Sequence, residues 1–179
     1  NAGSDQSICS NGGAIQLAGT ITGVSGGVWT TNGTGTFAPD ATALNASYVP
    51  SATDLIFSQL SFVLSTTGNM GCPAHTDTVV IALQQPPTVN AGNDVTTCDA
   101  SADVQLTGSF SGAAGILWTT TGSGSFVPNA NVPNAVYQPS VADSLAQNVL
   151  LILSTMGNQF CSAASDTMHL SFVNPLIAG

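Results

Sequence analysis

The chain presents one order of motifs twice, and this duplication constrains its fold more than any other feature. Asn1-Ala2-Gly3-Ser4-Asp5 returns as Asn90-Ala91-Gly92-Asn93-Asp94. Cys9 then aligns with Cys98, Trp29 with Trp118, Tyr48 with Tyr137 and Cys72 with Cys161, each pair 89 positions apart and without a gap. A period of that length is too long for a solenoid unit and suits a complete small domain. The expected organisation is a first repeat over 1–87, a second over 88–177, and the start of a further one at 178–179. Ile177-Ala178-Gly179 resembles the Asn-Ala-Gly opening, so a window from a longer secreted chain is expected.

Within each repeat the hydrophobic pattern has period two. Ile15-Gln16-Leu17-Ala18-Gly19-Thr20-Ile21 alternates, as does Val104-Gln105-Leu106-Thr107-Gly108-Ser109-Phe110, which marks strands buried on one face. Val28-Trp29-Thr30-Thr31 gives a further strand, followed by a Gly33-Thr34-Gly35 turn into Thr36-Phe37. Asn45-Ala46-Ser47-Tyr48 lies between Pro39 and Pro50. Leu60, Phe62 and Leu64, then Val79, Ile81 and Leu83, form the last two apolar faces. A weaker strand is expected over Asn1 to Ile8. About seven short strands at this spacing imply an all-β chain of two tandem immunoglobulin-like β-sandwiches. Trp29, Tyr48, Trp118 and Tyr137 are assigned to the cores, because a single strand-centred Trp per repeat suits packing better than a sugar-stacking platform.

The two cysteines per repeat predict one disulfide per domain, Cys9–Cys72 and Cys98–Cys161, in an oxidising compartment. Each bridge would close a span of 63 positions, a constraint worth about 4 kcal/mol. It is expected to staple one end of the sandwich surface. An odd strand count should bring the chain in at one pole of a domain and out at the other. Pro86-Pro87 makes the connector a semi-rigid spacer.

Composition removes whole classes of function. Lys and Arg total 0, and all nine acids are Asp, giving a net charge of −9. Without basic side chains there is nothing to neutralise nucleic-acid phosphates or anionic lipid. No apolar run is long enough to span a membrane. The two histidines, His75 and His169, are not equivalent between repeats, and no nucleophile–base set recurs, so an enzyme is not expected. No cofactor or metal site is expected either. Calcium is the one ion that the recurring acids Asp5/Asp94, Asp54/Asp143 and Asp77/Asp166 would suit, but they are scattered, and turn-capping and solubility are the better roles. The glycosylation sequons Asn32-Gly33-Thr34 and Asn45-Ala46-Ser47 occur in the first repeat alone, and absent lysine excludes isopeptide cross-links.

The ordered motifs are Asn-Ala-Gly-x-Asp with the following Cys, Trp-Thr-Thr-x-Gly-x-Gly-x-Phe-x-Pro, Asn-Ala-x-Tyr-x-Pro-Ser, and Asp-Thr. Across nearly the whole chain they resemble the immunoglobulin-like (PKD-like) tandem repeats of giant Bacteroidetes cell-surface and gliding-motility adhesins. The resemblance implies type IX secretion, with the export signal elsewhere in the parent protein. It also implies O-glycosylation at Asp-Ser/Thr-apolar tripeptides, here Thr78, Ser144 and Thr167. The expected function is a structural spacer in the stalk of a secreted, cell-surface adhesin filament. Its partners would be neighbouring repeats of the same chain, with surface glycans or like chains as further candidates. The alternatives are a glycan-binding surface module and a self-assembling sheath or surface layer. Ser10–Ala14 differs from Asp99–Asp103 while core positions hold, which favours spacers over two copies of one binding site.

Overall fold

The computed structural model describes residues 1–98 and 102–173. The expected repeat start at 178–179 lies outside them. The chain divides into two compact units, Asn1–Gln85 and Pro86–Gly179, each an all-β, immunoglobulin-like sandwich.

Unit 1 contains β1 (Gln6–Cys9), β2 (Ile15–Gln16), β3 (Gly26–Thr31), β4 (Thr36–Ala38), β5 (Ser47–Val49), β6 (Gln59–Thr67) and β7 (Thr76–Gln84). One sheet has the order β1-β7-β6-β3 and the other β2-β5-β4. Their inner faces share one core that includes Ile15, Tyr48, Trp29, Phe62, Leu64 and Ile81. The alternation predicted for β6 and β7 is present, with Leu60, Phe62 and Leu64 inward and facing Val79 and Ile81. Phe62 meets Tyr48 edge-on across the two sheets, with ring centroids 4.9 Å apart. The Trp29 indole N–H donates to the Ala43 carbonyl at 3.1 Å, which satisfies its polar tip inside the core. Gly19 is required where the loop after β2 crosses that ring. A Cβ there would stand 2.7 Å from Trp29 Cζ2 and 2.8 Å from Leu64 Cδ2.

The long alternating segment 15–21 is a strand only over Ile15–Gln16. Beyond it, Leu17 and Gly19 still donate to the Ala46 and Leu44 carbonyls, so the edge continues as an irregular ladder. β1 pairs in parallel with β7, Gln6 opposite Ile81 and Cys9 opposite Gln84. The chain therefore enters unit 1 at the pole where β7 begins and leaves at the other.

Unit 2 contains β8 (Thr88–Asn90), β9 (Val95–Thr97), β10 (Val104–Gln105), β11 (Ser109–Ser111), β12 (Gly115–Thr120), β13 (Ser125–Val127), β14 (Val136–Gln138), α1 (Val141–Ala146), β15 (Asn148–Met156) and β16 (Ser165–Phe172). Its four-stranded sheet, β12-β15-β16-β9, and three-stranded sheet, β10-β14-β13, repeat the first unit. An added pair, β8 with β11, has no assigned counterpart in unit 1. α1 was not expected. Unit 1 has a 3-10 turn there, Asp54–Ile56. In unit 2 Ala142, Leu145 and Ala146 replace Thr53, Ile56 and Phe57, which favours helix by removing β-branched and aromatic residues that lose rotamer freedom there, while Val141 for Ala52 and Ser144 for Leu55 act the other way.

Phe62→Ala should lower the stability of unit 1 by about 3–5 kcal/mol, since it empties the junction of the two sheets. Thr78→Ala, on the outer face of β7, should change it by less than about 0.5 kcal/mol. Urea melts of the two variants side by side check this difference.

Candidate functional site

The repeated polar residues gather into two structural sites per unit. The first surrounds a buried carboxylate. Asp54 is 0% exposed, and its oxygens accept from the backbone N–H groups of Thr34 (2.7 Å), Gly35 (2.9 Å) and Ser51 (3.0 Å) and from the Tyr48 hydroxyl (2.7 Å). Ser51 returns a bond, its Oγ accepting from the Asp54 N–H at 3.2 Å. The carboxylate thereby ties the turn after β3, the end of β5 and the 3-10 turn into one knot. Asp143 rebuilds it in unit 2 with Ser123 (2.7 Å), Gly124 (3.0 Å), Ser140 (3.0 Å) and the Tyr137 hydroxyl (2.7 Å). There the reciprocal Ser140–Asp143 pair is a capping box that starts α1. Gly35 is needed because a Cβ would run into the Val49 carbonyl and lie 2.8 Å from Tyr48 Cζ.

Burial opposes the charge on both aspartates, but the donated hydrogen bonds, led by those from the tyrosines, outweigh it. The Asp143 carboxyl is held at about 2 and that of Asp54 well below the ordinary carboxylate range. Tyr48 is pushed up to about 12, first by burial and then by the hydrogen bond to Asp54. Tyr137 moves in the same direction for the same leading reason.

The second site stitches the first segment of each unit to its last strand. Asn1 and Thr20 exchange backbone bonds at 2.8 Å, after which the chain crosses to the parallel pairing with β7. Across that change of partner, the Ala2 N–H donates to Asp77 at 2.7 Å and the Val80 N–H to Asp5 at 2.8 Å. Asp166 and Asp94 do the same for Ala91 and His169, both at 2.8 Å. All three repeated aspartate pairs thus serve backbone N–H groups. The turn-capping expectation holds for Asp54 and Asp143, whose burial leaves them no solubility role, whereas Asp5, Asp77, Asp94 and Asp166 bond backbone 75 positions away and cap no turn. Among the described residues, no group of three or more His, Cys or acidic side chains is placed to hold a metal.

The cysteines overturn the expected pairing. Cys9 and Cys161 are disulfide-bonded, whereas Cys72 and Cys98 are free and exposed, so neither Cys9–Cys72 nor Cys98–Cys161 forms. The parallel first strand is the reason. Cys9 faces Gln84 at the end of β7, while Cys72 lies in the hairpin before β7 begins at Thr76. A nine-residue strand separates them by about 26 Å or more, and a disulfide needs Cα atoms roughly 4–7 Å apart. In unit 2, Cys98 follows Thr97, which faces Phe172 at the end of β16, and Cys161 precedes the start of β16.

Trp29, Tyr48, Trp118 and Tyr137 are buried. Thr78 and Thr167 are exposed on β7 and β16, and Ser144 is half-buried in α1 with its hydroxyl donating to the Val141 carbonyl at 2.8 Å. His75 and His169 are exposed. The capping role was legible as Ser51-x-x-Asp54 and Ser140-x-x-Asp143, a sequence signature of a helix start.

No protein-family profile matches the sequence, and no curated protein matches it. Among solved structures the chain is similar to Drosophila N-cadherin EC1-4, at 10% identity and a TM-score of 0.48, over 97% of this chain and 48% of that one. It is similar to Sidekick-1 immunoglobulin domains 1-4, at 11% identity and a TM-score of 0.49, over 97% and 48%. A third similarity is to an I-band fragment from titin, at 12% identity and a TM-score of 0.45, over 96% and 64%. The chain spans about half the length of the cadherin and Sidekick-1 structures.

Because a depressed carboxyl contributes stability above its unfolded value and loses it as pH falls through the folded one, unit 2 should weaken between about pH 4 and 2. Asp143→Asn should cost about 2 kcal/mol at neutral pH and flatten that acid loss, as read by urea melts at several pH values. Separately, iodoacetamide applied without reductant should alkylate Cys72 and Cys98 and spare Cys9 and Cys161. Chymotryptic mapping is required, since trypsin has no Lys or Arg to cut. Label on Cys9 before reduction would contradict the assignment.

Proposed function

We propose that the two units are spacer repeats from the stalk of a long secreted, cell-surface adhesin of the Bacteroidetes gliding-motility kind. The observation that carries this reading is the fate of the repeated polar groups. The Asp–Tyr knots and the Asp stitches use the side chains that recur between units to hold backbone in place, so the feature that recurs is scaffold. A ligand site copied twice would instead leave matched polar or aromatic groups turned outward. Entry and exit at opposite poles, as in unit 1, suit a domain that adds length. The absence of basic residues suits an uncharged or acidic exterior with no pull toward nucleic acid or anionic lipid. On this reading Cys9 and Cys161 are oxidised outside the cell, and the exposed Thr78 and Thr167 are open to O-glycosylation.

A glycan array probed with the purified pair is expected to show no saturable binding; saturable binding to any glycan would replace the spacer reading with a binding module. Protein isolated from its native source should exceed its sequence mass in hexose-sized steps that map to Thr78 and Thr167. An unmodified native mass would end the glycosylation part.

A further inference from the structure

Unit 2 contains a strand pair for which unit 1, opening at Asn1 in the place of Asn90, holds one side, Thr20–Thr22 in the place of Ser109–Ser111. In unit 2 the connector forms β8, pairing with β11 as Asn90 opposite Ser109, Val89 opposite Phe110 and Thr88 opposite Ser111. Val89 packs against the core, the Thr88 and Ser111 hydroxyls lie 2.8 Å apart, and Pro86-Pro87 runs past Gly112, where a Cβ would come within 3.3 Å of Pro87 Cα. In unit 1 the Asn1–Thr20 pair takes the place of Asn90–Ser109. Next to it lies a groove of about 520 Å³ lined by Ile21, Thr22, Val24, Cys72, Pro73 and His75, among others. Gly23, the counterpart of Gly112, faces open space. Cys161, which holds the place of Cys72 in unit 2, is buried and disulfide-bonded, whereas Cys72 is free and exposed.

We propose that this groove is the seat for the connector of another repeat of the same kind, an extended, uncharged segment of the Pro-Pro-Thr-Val type that adds as a strand along Thr20–Thr22, and that Cys72 bonds a cysteine of that repeat. The inference deepens the spacer reading and rests on it. The chemistry fits at each point. In an antiparallel ladder the mutually hydrogen-bonded pairs recur every second residue, so with Asn1–Thr20 as one such pair, the next is made by Thr22. The Val of the incoming segment covers Ile21 as Val89 meets Phe110, and its prolines run past Gly23. The bond at Cys72 forms between two thiol sulfurs. Both protons and two electrons leave with an oxidant of the disulfide class, such as oxidised glutathione, which departs as two thiols.

The test lengthens the full chain. A copy of residues 84–89 placed ahead of Asn1 should slow hydrogen exchange of the Thr22 amide by at least about tenfold. The same extension with Val89→Asp in the copy should lose that protection. A chain lengthened by a copy of residues 1–89 and refolded in a glutathione buffer should keep the present number of titratable thiols, because Cys72 becomes bonded. Thr22 exchanging as in the unextended chain, or a higher thiol count, overturns the proposal and leaves the spacer reading to the glycan test. Concentration-dependent protection of Thr22 in the unextended chain assigns the seat to a second copy, and overturns it as well.

Discussion

The fold of each unit depends on one carboxylate that cannot be paired with a cation. The chain contains no Lys or Arg, so a buried Asp must be held by N–H and O–H donors alone. Asp54 and Asp143 meet that constraint with donors drawn from separate segments. A buried charge without donors would cost several kcal/mol or would protonate instead. With them, the carboxylate fixes where β5 and β14 end, how the preceding Gly-rich turn folds, and where α1 starts. The aromatic core depends on the same point. The Tyr48 ring packs on Phe37 and Phe62 while its hydroxyl anchors in the knot, so the apolar and polar arrangements position each other.

A second consequence follows from the parallel entry of the first strand. Pairing β1 with β7 and β9 with β16 in parallel sends the two cysteines of each unit to opposite poles. The backbone between the opening residue and the parallel ladder has no regular partner, and Asp5, Asp77, Asp94 and Asp166 take up its N–H groups and those of the last strand. A first strand paired antiparallel throughout would need none of these side chains. It would also carry Cys9 and Cys98 elsewhere along the last strand. The acid pattern and the cysteine placement therefore have a common topological origin.

Much of this was legible in the sequence, and the exceptions share a cause. Period-two alternation located β6, β7, β15 and β16, because one buried face imposes that period whatever the strand order, and the single strand-centred Trp per repeat pointed Trp29 and Trp118, with Tyr48 and Tyr137, to the core. Cysteine pairing was not legible, since the spacing of Cys9 and Cys72 is silent on whether the first strand runs parallel or antiparallel to the last. The aspartates were half legible. Ser51-x-x-Asp54 announces a cap, but the convergence of Thr34, Gly35 and Tyr48 on the same carboxylate is a tertiary fact. The difference between the 3-10 turn and α1 was present in composition, as Thr53, Ile56 and Phe57 against Ala142, Leu145 and Ala146, and gives no hydrophobic period over so short a span.

The repeat read as text and the unit that folds have different boundaries. Periodicity assigns the same residues to each copy, but packing assigns the connector to the repeat that follows it. Pro86 onward belongs to unit 2, where Thr88–Asn90 is an integral strand and Val89 packs against the core. Phe110 is 36% exposed even with that strand beside it. In unit 2 the sandwich is thus finished by a segment that lies before its own first motif. The unit that folds is offset from the unit that repeats, and the connector serves as the last strand of packing for the domain it introduces.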